Sequence, residues 1–224
     1  MNSDRIAIIV AGGTGTRMGA DIPKQFLLLK GEPILMHTLR IFDNFPSISE
    51  IILVLPETQI EIWTDLCKKH QFVIKHLVVM GGKTRFQSVC NGLAKVSNPN
   101  ALIAIHDGVR PLVSKKVVEK CFQDAETYGN AIPVVKPVET VRFSDVDGSY
   151  PVDRDTVMLV QTPQVFRASI IKKCYEVSWQ PSFTDDATVA EFSGEQIHLV
   201  EGNRENIKIT TQQDLLIAEA LLRG

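Results

Sequence analysis

The chain has 224 residues, 44% of them hydrophobic and 22% charged, with a formal net charge of −2. These values fit a single globular domain, residues 1–224, and exclude the basic footprint of a duplex nucleic-acid binder, so we expect no nucleic-acid partner. The opening MNSDRIAIIVAGG lacks the positively charged N-terminal region of a signal peptide. Its short apolar run predicts a strand rather than a signal peptide or membrane span. We therefore expect a cytoplasmic location and no membrane partner.

Strand-like and helix-like segments alternate along the first 135 residues. The predicted strands are Ile6–Ala11, Ile51–Leu55, His76–Met80, Ala101–His106 and Ala131–Val135. The predicted helices begin at Ile34, Gln59, Arg85 and Ser114, and Gly129 is placed to end the last of them. This alternation predicts an α/β fold with a Rossmann-like, mostly parallel sheet covered by helices on both faces. Ligands are expected in the loops after Val10, Met80 and His106.

The alternation breaks between residues 136 and 164, where the sequence predicts a projecting β-hairpin arm. ETVRFS is the first predicted strand, DVDGS the turn and DTVMLVQ the second strand. Because an isolated two-stranded hairpin is marginally stable, an arm of this kind predicts a homodimer. An arm folded back on its own domain is the alternative. The rest of the chain predicts a helix from Arg167, a short strand at 198–200 and a closing helix in TTQQDLLIAEALL.

The four cysteines stand far apart, without a CxxC pair, at positions 67, 90, 121 and 174. Neither a zinc ribbon nor a disulfide framework is indicated. We expect reduced, mostly buried thiols.

A glycine-rich loop, VAGGTGTRMG, follows the first predicted strand. The loop does not match the dinucleotide-binding motif GxGxxG, because Met18 occupies the position of the third glycine. A second glycine segment, GGKT at 81–84, is not a P-loop because it lacks that motif's first glycine. What remains is a loop whose backbone N–H groups can approach phosphate oxygens, or else a structural turn. Arg17 inside the loop and Lys24 in PKQF both lie within reach of a triphosphate, which favours the phosphate-binding interpretation.

AGGTGTRMGADIPKQF resembles the opening signature of the nucleotidyltransferases that activate phosphorylated sugars and polyols. Within them the chain is most similar to the 2-C-methyl-D-erythritol 4-phosphate cytidylyltransferases. GGKTRFQSVCNGL, IHDGVRPLV, VDRDTVMLVQTPQVF, TDDATVAEFSG and VEGNRENIKITTQQDL continue the resemblance in order. It implies a CTP site made by Ala11, Gly12, Gly13, Thr14, Gly15, Gly82, Arg85 and Ser88. Lys83 departs from the family, which commonly has an acidic residue there. Without the resemblance, an exposed helix face and a cap are the alternative roles of Arg85 and Ser88.

Asp107 follows an apolar strand, where a carboxylate facing phosphates would be repelled unless a divalent cation lay between them. Mg²⁺ binds with one or two carboxylates, phosphate oxygens and water, so Asp107 is the predicted metal ligand. The alternative is a strand-end aspartate that caps a turn with Gly108. We expect His106 to pack beside the strand rather than to bind a metal.

The acceptor is expected to be a phosphomonoester. The resemblance implies that Arg110, Thr140, Arg154, Thr184 and Lys208 bind it, with Thr140 and Arg154 on the arm and acting across a dimer interface. Taken without the resemblance, TDDA at 184–187 is a helix N-cap.

The predicted reaction joins CTP and 2-C-methylerythritol 4-phosphate with release of pyrophosphate, and Arg17 and Lys24 stabilise the charge that develops. A ribitol 5-phosphate cytidylyltransferase is the nearest alternative. A non-catalytic CTP-binding module and, more distantly, an NAD-dependent dehydrogenase are alternatives of other classes.

Overall fold

The structure, a computed structural model, describes residues 4–12, 22–45 and 47–222. Its strands are β1 (Arg5–Val10), β2 (Leu28–Leu29), β3 (Glu32–Pro33), β4 (Ile48–Leu55), β5 (Leu77–Met80), β6 (Leu102–Asp107), β7 (Asn130–Val135), β8 (Arg142–Asp145), β9 (Gly148–Pro151), β10 (Leu159–Val160), β11 (Gln164–Arg167) and β12 (Leu199–Glu201). Its α-helices are α1 (Ile34–Asp43), α2 (Glu57–Lys69), α3 (Arg85–Leu93), α4 (Lys115–Tyr128), α5 (Ala168–Cys174), α6 (Asp186–Phe192) and α7 (Gln212–Leu221). Short 3-10 turns cover Lys24–Phe26 and Arg154–Thr156.

An eight-stranded sheet forms the centre of the described fold. Its order is β10-β7-β11-β6-β1-β4-β5, with β12 added along β7. β1 lies between β4 and β6 and runs parallel to both, and β5 runs parallel to β4. The predicted mostly parallel α/β sheet is confirmed, and the carboxyl ends of β1, β5 and β6 reach the same edge.

Helices cover both faces of this sheet because the central strands are apolar on both sides. In β1, Ile6 and Ile8 belong to the core that contains α3, α5 and α6 residues, whereas Ala7 and Ile9 belong to the core under α1, α2 and α4. Successive side chains of a strand point to opposite faces, so a continuous apolar run feeds both cores.

Helix α4 begins and ends where the sequence predicts. The Ser114 side chain accepts a hydrogen bond from the backbone N–H of Val117, and Gly129 adopts a left-handed conformation with φ of 88°. Both ends therefore use standard capping chemistry, a serine at the start and a glycine at the stop.

Strand β11 was not predicted, and it runs antiparallel between β6 and β7. It is only four residues long and directly follows Pro163, so its pattern is too short to separate from a loop. Its position in the middle of the sheet makes the observed sheet mixed rather than purely parallel.

The arm is a hairpin, but its predicted second strand is wrong. β8 pairs with β9, Phe143 opposite Tyr150 and Asp145 opposite Gly148, whereas Leu159 and Val160 of DTVMLVQ pair with β7 in the main sheet. The tight turn at Val146 and Asp147 fixes the register, because a two-residue loop pairs the residues that immediately flank it. DTVMLVQ lies too far along the chain to serve as that partner.

All four cysteines are free thiols. Cys121 and Cys174 are buried, and Cys67 and Cys90 are half-buried. Burial raises the pKa of Cys67 to about 11 and that of Cys121 to about 12, which disfavours their thiolates.

Within the residues that the structure describes, no helix combines the length and apolar character that crossing a membrane requires.

Candidate active site

Two cavities open at the edge where the strands of the sheet end. The first, here called the β1 cavity, has a volume of about 250 Å³. Its lining includes Val10, Ala11, Gly12, Lys24, Gln25, Gly82, Lys83, Thr84, Arg85, Ser88, Asp107, Val109 and Lys208. The expected ligand position, after Val10, Met80 and His106, is therefore the position of this cavity.

Lys24 reaches the β1 cavity from a single 3-10 turn that is anchored on both sides. The fully buried Gln25 donates from Nε2 to the carbonyl oxygen of Ala11 at 2.9 Å and also to the side chain of Gln59 on α2. Phe26 stacks on Trp63 of α2 with ring centroids 6.2 Å apart. Helix α2 thus holds the turn against the end of β1, and this fixes the backbone of Lys24.

The glycine pair before α3 is shaped by the helix that follows it. Ser88 Oγ accepts from the backbone N–H of Gly82 at 3.1 Å and donates to the Thr84 carbonyl oxygen at 2.9 Å. A Cβ on Gly82 would lie 2.3 Å from Cβ of Gln87, so only glycine fits there. The cap of α3 is Thr84 and not Ser88, because the Thr84 side chain accepts from the backbone N–H of Gln87. Ser88 is buried and fixes the backbone that lines the cavity.

The second cavity, here called the α6 cavity, has a volume of about 390 Å³. Its lining includes Arg85, Asp107, Arg110, Ile132, Val160, Gln161, Thr162, Gln164, Thr184, Asp185, Ala187, Thr188, Glu191, Ile197, Leu199 and Lys208. Cationic groups lie at the end that meets the β1 cavity, and apolar side chains such as Ile132, Ile197 and Leu199 form another part of the wall. Arg85, Asp107 and Lys208 line both cavities.

Asp107 is the centre of the charged cluster between the cavities. Its Oδ2 lies 2.9 Å from Nζ of Lys208 and 3.3 Å from Nε of Arg110, and its Oδ1 lies 3.8 Å from Nε of Arg85. Burial alone would raise the pKa of this carboxyl, but Lys208, Arg85 and Arg110 outweigh burial and hold the pKa well below its usual range. Together with Asp186, which pairs with Arg85, three positive and two negative charges leave a formal +1 at this position. The cluster is therefore suited to anionic ligands.

The Arg85 guanidinium also binds a second, fully buried carboxylate, that of Asp186. Its Nη1 and Nη2 donate to Oδ1 and Oδ2 of Asp186 at 2.8 and 2.6 Å, and the hydroxyl of Tyr175 donates to the same Oδ1 at 2.6 Å. Burial opposes the charged form of Arg85, but the Asp186 carboxylate raises the arginine's pKa, so the side chain stays protonated.

His106 is fully buried beside Asp107 and organises the backbone around it. Its Nε2 lies 3.0 Å from the Arg110 carbonyl oxygen, which only accepts, so Nε2 carries the proton. Its Nδ1 then accepts from the Thr162 hydroxyl at 3.1 Å, while Thr162 Oγ1 accepts from the Asp107 backbone N–H. Burial lowers the pKa of His106 to about 4. As expected, His106 packs beside the strand, with its ring edge-on to Phe42.

A divalent cation has one protein oxygen available in this cluster. Both cationic contacts shorter than 3.5 Å fall on Oδ2 of Asp107, whereas Oδ1 has the single 3.8 Å contact with Arg85. Among the described residues no group of three or more histidine, cysteine or acidic side chains could hold a metal ion by itself. One ionised carboxylate oxygen fits Mg²⁺ if the ion takes its other ligands from phosphates and water.

The comparisons with known proteins agree over nearly the whole chain. The family model for 2-C-methyl-D-erythritol 4-phosphate cytidylyltransferase, IspD, matches residues 5–224. The chain belongs to this family. A cytidylyltransferase of that name from Bacteroides fragilis is 54% identical over 218 residues, which are 97% of this chain and 99% of that protein.

Solved structures of the family have the same fold. The 4-diphosphocytidyl-2C-methyl-D-erythritol synthase of Anaerococcus prevotii superimposes with a TM-score of 0.84 at 32% identity, covering 100% of this chain and 97% of that one. The 2-C-methyl-D-erythritol 4-phosphate cytidylyltransferase of Francisella tularensis gives a TM-score of 0.80 at 29% identity, covering 97% and 99%. The chain therefore shares the fold of this family as well as its sequence.

Most of the predicted site residues line the two cavities. Ala11, Gly12, Lys24, Gly82, Arg85, Ser88, Asp107 and Lys208 line the β1 cavity, and Arg110 and Thr184 line the α6 cavity. Arg85, expected in the CTP site, lies in the wall between the cavities and faces two carboxylates. Gly13, Thr14, Gly15 and Arg17 lie outside the described residues.

Thr140 and Arg154 line neither cavity of their own chain. Both are exposed on the arm, and Arg154 donates from Nη1 to the Val138 carbonyl oxygen at 2.7 Å.

Several polar residues of the site were missed by the sequence reasoning although they lie inside quoted motifs. They are Gln25 in PKQF, Thr162 and Gln164 in TPQ, and Asp186 in TDDA. Within TDDA, Asp185 is the N-cap of α6. A buried polar residue in an otherwise apolar segment is the available signal, but its partners are distant in the chain: Asp186 lies 101 residues from Arg85.

Proposed function

We propose that the chain transfers CMP from CTP to 2-C-methyl-D-erythritol 4-phosphate, releasing pyrophosphate and forming the CDP-alcohol. The observation that carries this proposal is the wall of Arg85, Asp107 and Lys208 shared by the two cavities. A site for transfer between two phosphate esters needs two pockets that meet at a positively charged junction, because both reactants are anions. The family membership over residues 5–224 supports the identity of both substrates.

The transfer is a displacement at phosphorus. A phosphate oxygen of the acceptor attacks the α-phosphorus of CTP, a new oxygen–phosphorus bond forms, and the bond to the β-phosphate oxygen breaks as pyrophosphate leaves. The attacking phosphate is already ionised, so no general base is required. Catalysis then consists of positioning the two esters and stabilising negative charge on the bridging oxygens.

The residues divide between the two substrates according to their cavities. We infer that Lys24 and the backbone of Ala11 and Gly12, which line the β1 cavity, hold the triphosphate, with Arg17 of the same loop as the second expected cation. Arg110 and Lys208, which line the α6 cavity, would hold the acceptor phosphate at the junction. The apolar side chains of the α6 cavity suit an acceptor with a branched carbon skeleton better than they suit a fully hydroxylated chain.

Asp107 would hold Mg²⁺ through its less engaged oxygen, together with phosphate oxygens of the nucleotide. When bound, the ion supplies neutralisation of the triphosphate charge.

The decisive experiment is pyrophosphate release from CTP and Mg²⁺ across a panel of phosphorylated polyols and sugars. We expect release with 2-C-methyl-D-erythritol 4-phosphate and much slower release with D-ribitol 5-phosphate. A reversed preference would replace the proposal by its nearest alternative. CTP binding without release for any acceptor would leave only a nucleotide-binding module.

We also propose that the active unit is a homodimer in which the arm, residues 136–164, supplies Thr140 and Arg154 to the neighbouring subunit. The arm exposes the stacked pair Phe143 and Tyr150, about half of whose surface is accessible, and the fully exposed Val146. Such apolar surface on an isolated hairpin is typical of a segment that packs on another chain. Light scattering at micromolar concentration tests this proposal, and a monomer mass would contradict it.

The single-domain organisation and the cytoplasmic location stay predictions.

A further inference from the structure

We propose that Asp186 and Tyr175 are positioning residues that hold the Arg85 guanidinium in the wall between the β1 and α6 cavities. Neither residue lines either cavity. Their contribution to the reaction is therefore indirect and acts through Arg85. This inference rests on the proposed transfer reaction, in which the wall faces both substrates.

The position of Arg85 is determined by Asp186 more than by Asp107. The guanidinium makes two parallel hydrogen bonds to Asp186, at 2.8 and 2.6 Å, whereas its Nε is 3.8 Å from Asp107, too far for a hydrogen bond. A bidentate arginine–carboxylate pair fixes the plane of the guanidinium as well as its position. The remaining Nε edge is thereby turned toward Asp107 and the junction of the cavities.

Asp186 is itself fixed from a third element. It is completely buried at the first turn of α6, and its Oδ1 accepts a second hydrogen bond from the Tyr175 hydroxyl at 2.6 Å. Tyr175 follows α5, and its ring stacks on Phe86, the neighbour of Arg85 on α3, with centroids 4.6 Å apart. Burial and the adjacent carboxylate raise the pKa of Tyr175 well above its usual value, so the phenol keeps its proton and donates.

The arrangement is better explained by positioning than by stability. A buried ion pair contributes little net stability, because the cost of desolvating both charges offsets their attraction. Apolar side chains of similar volume would fill the same space between α3, α5 and α6. What apolar residues cannot supply is a fixed guanidinium at the edge of both cavities.

The first experiment compares two variants with two matched controls. Tyr175→Phe keeps the ring stacking and removes one hydrogen bond, and Asp186→Asn removes the charge. The controls are Tyr128→Phe, an exposed ring on α4, and Asp124→Asn, a largely buried carboxylate that pairs with Lys120 and lines neither cavity. For each protein kcat, KM for both substrates and Tm are measured.

We expect kcat to fall about threefold to tenfold in Tyr175→Phe and on the order of 100-fold in Asp186→Asn, measured well below the Tm of each variant. The controls are expected to keep the wild-type kcat and KM, whatever happens to their Tm. Folded Tyr175→Phe and Asp186→Asn proteins with wild-type kcat and KM, changed only in Tm, would overturn the inference. If Asp186→Asn does not fold, Tyr175→Phe alone decides.

The second experiment is chemical rescue, which a purely structural role would not allow. Arg85→Ala leaves the Asp186 carboxylate in place, so added guanidinium ion is expected to restore part of kcat. The same ion is expected to fail in Arg85→Ala combined with Asp186→Asn. Equal rescue in both proteins would show that Asp186 does not position the cation.

A failure of the proposed function is distinguishable from a failure of this inference. If the wild-type protein releases no pyrophosphate, NMR of the Arg85 side-chain N–H groups, assigned with Arg85→Lys, still tests the positioning without turnover. Slow exchange of these protons in the wild type and fast exchange in Tyr175→Phe is the expected result. Unchanged exchange would overturn the inference.

Discussion

Single charged side chains at this site are held by contacts that come from distant parts of the chain. Asp107 stays ionised although it is buried, because Lys208, Arg85 and Arg110 surround it. Lys24 lies on a turn that is held in place by the hydrogen bond from the Gln25 side chain to the Ala11 carbonyl oxygen. Side chains restrained in this way need little reorganisation when charge develops on a ligand.

The first prediction at this scale concerns Lys24. Lys24→Ala is expected to lower kcat on the order of 100-fold to 1000-fold, because it removes a fixed cation from the triphosphate side of the junction. Tm should still show a folded protein, since Gln25 and Phe26 anchor the turn. Steady-state pyrophosphate release together with a thermal melt measures both quantities. Near wild-type turnover would end the catalytic assignment of Lys24, and Lys68→Ala, at an exposed lysine of α2 that lines neither cavity, is the control.

The second prediction concerns His106 and pH. Its pKa is about 4 in the folded protein and 6.5 as the reference value, so between these values the unfolded chain binds a proton that the folded chain excludes. The contribution of neutral His106 to the free energy of unfolding is therefore fully present above about pH 6.5 and is lost as pH falls toward 4. The expected loss is about 2 kcal/mol in the free energy of unfolding between pH 7.5 and pH 5.

Urea unfolding of the wild type and of His106→Asn at these two pH values measures this loss. Asparagine can still donate to the Arg110 carbonyl oxygen and accept from Thr162, so the variant is expected to fold with a smaller pH dependence. The neighbouring charged groups are Asp107 and Arg110, and they are unchanged in the variant. Equal pH dependence in the two proteins would refute the assignment to His106.

At the scale of elements, helix ends and short turns place the functional groups. The first turn of α3 carries Arg85, the first turn of α6 carries Asp186, and a capping box of Asp185 and Thr188 defines where α6 begins. A shift of either helix start by one residue would rotate these side chains by about 100° and separate the pair. Capping is thus part of the construction of the site.

Gly129 provides the prediction at this scale. It ends α4 with φ of 88°, and the chain continues directly into β7, whose Ile132 lines the α6 cavity. Gly129→Ala is expected to lower the free energy of unfolding by about 1–2 kcal/mol, because a Cβ disfavours the left-handed conformation.

Gly129→Asn separates backbone strain from crowding. A Cβ at this position would lie 2.7 Å from Cδ1 of Ile170, so crowding alone would make the larger asparagine worse than alanine. Because asparagine tolerates the left-handed region, strain predicts the opposite order, with asparagine the milder change. Urea unfolding of the two variants gives the order, and asparagine being the more destabilising would contradict the strain account.

At the scale of the whole molecule, one subunit supplies two cavities but leaves two expected acceptor ligands outside them. Thr140 and Arg154 stand on an exposed arm, whereas the other described residues with an expected role line a cavity of their own chain. This separation is what a shared active site between two copies would produce.

Mixing two inactive variants tests this arrangement. Lys24→Ala and Arg154→Ala are each expected to have low activity alone. After subunit exchange, half of the dimers are mixed, and each mixed dimer has one site that combines an intact Lys24 with an intact arm from its partner. Activity should therefore rise to about a quarter of the wild-type value. No rise after mixing, with exchange verified by mass, would show that each arm serves its own subunit.

The sequence by itself determined the fold class, the helices α1 to α4 and the set of residues at the strand ends. These features depend on periodicity, capping residues and motifs, which are local and can be recognised in one stretch of chain. The tight turn of the arm was visible in DVDGS, but the pairing partner was wrong because register follows from the turn geometry and not from the length of the extended segments.

Only the tertiary structure decided the position of β11, the meeting of the two cavities at Arg85, Asp107 and Lys208, and the pairing of Asp186 with Arg85 and Tyr175. Each of these depends on contacts between residues that are far apart in the chain. The energy of such contacts arises from burial and from the exclusion of water, and these exist only once the elements have packed. A sequence pattern can indicate a charged residue, but it does not contain the environment that sets the pKa or the orientation of that residue.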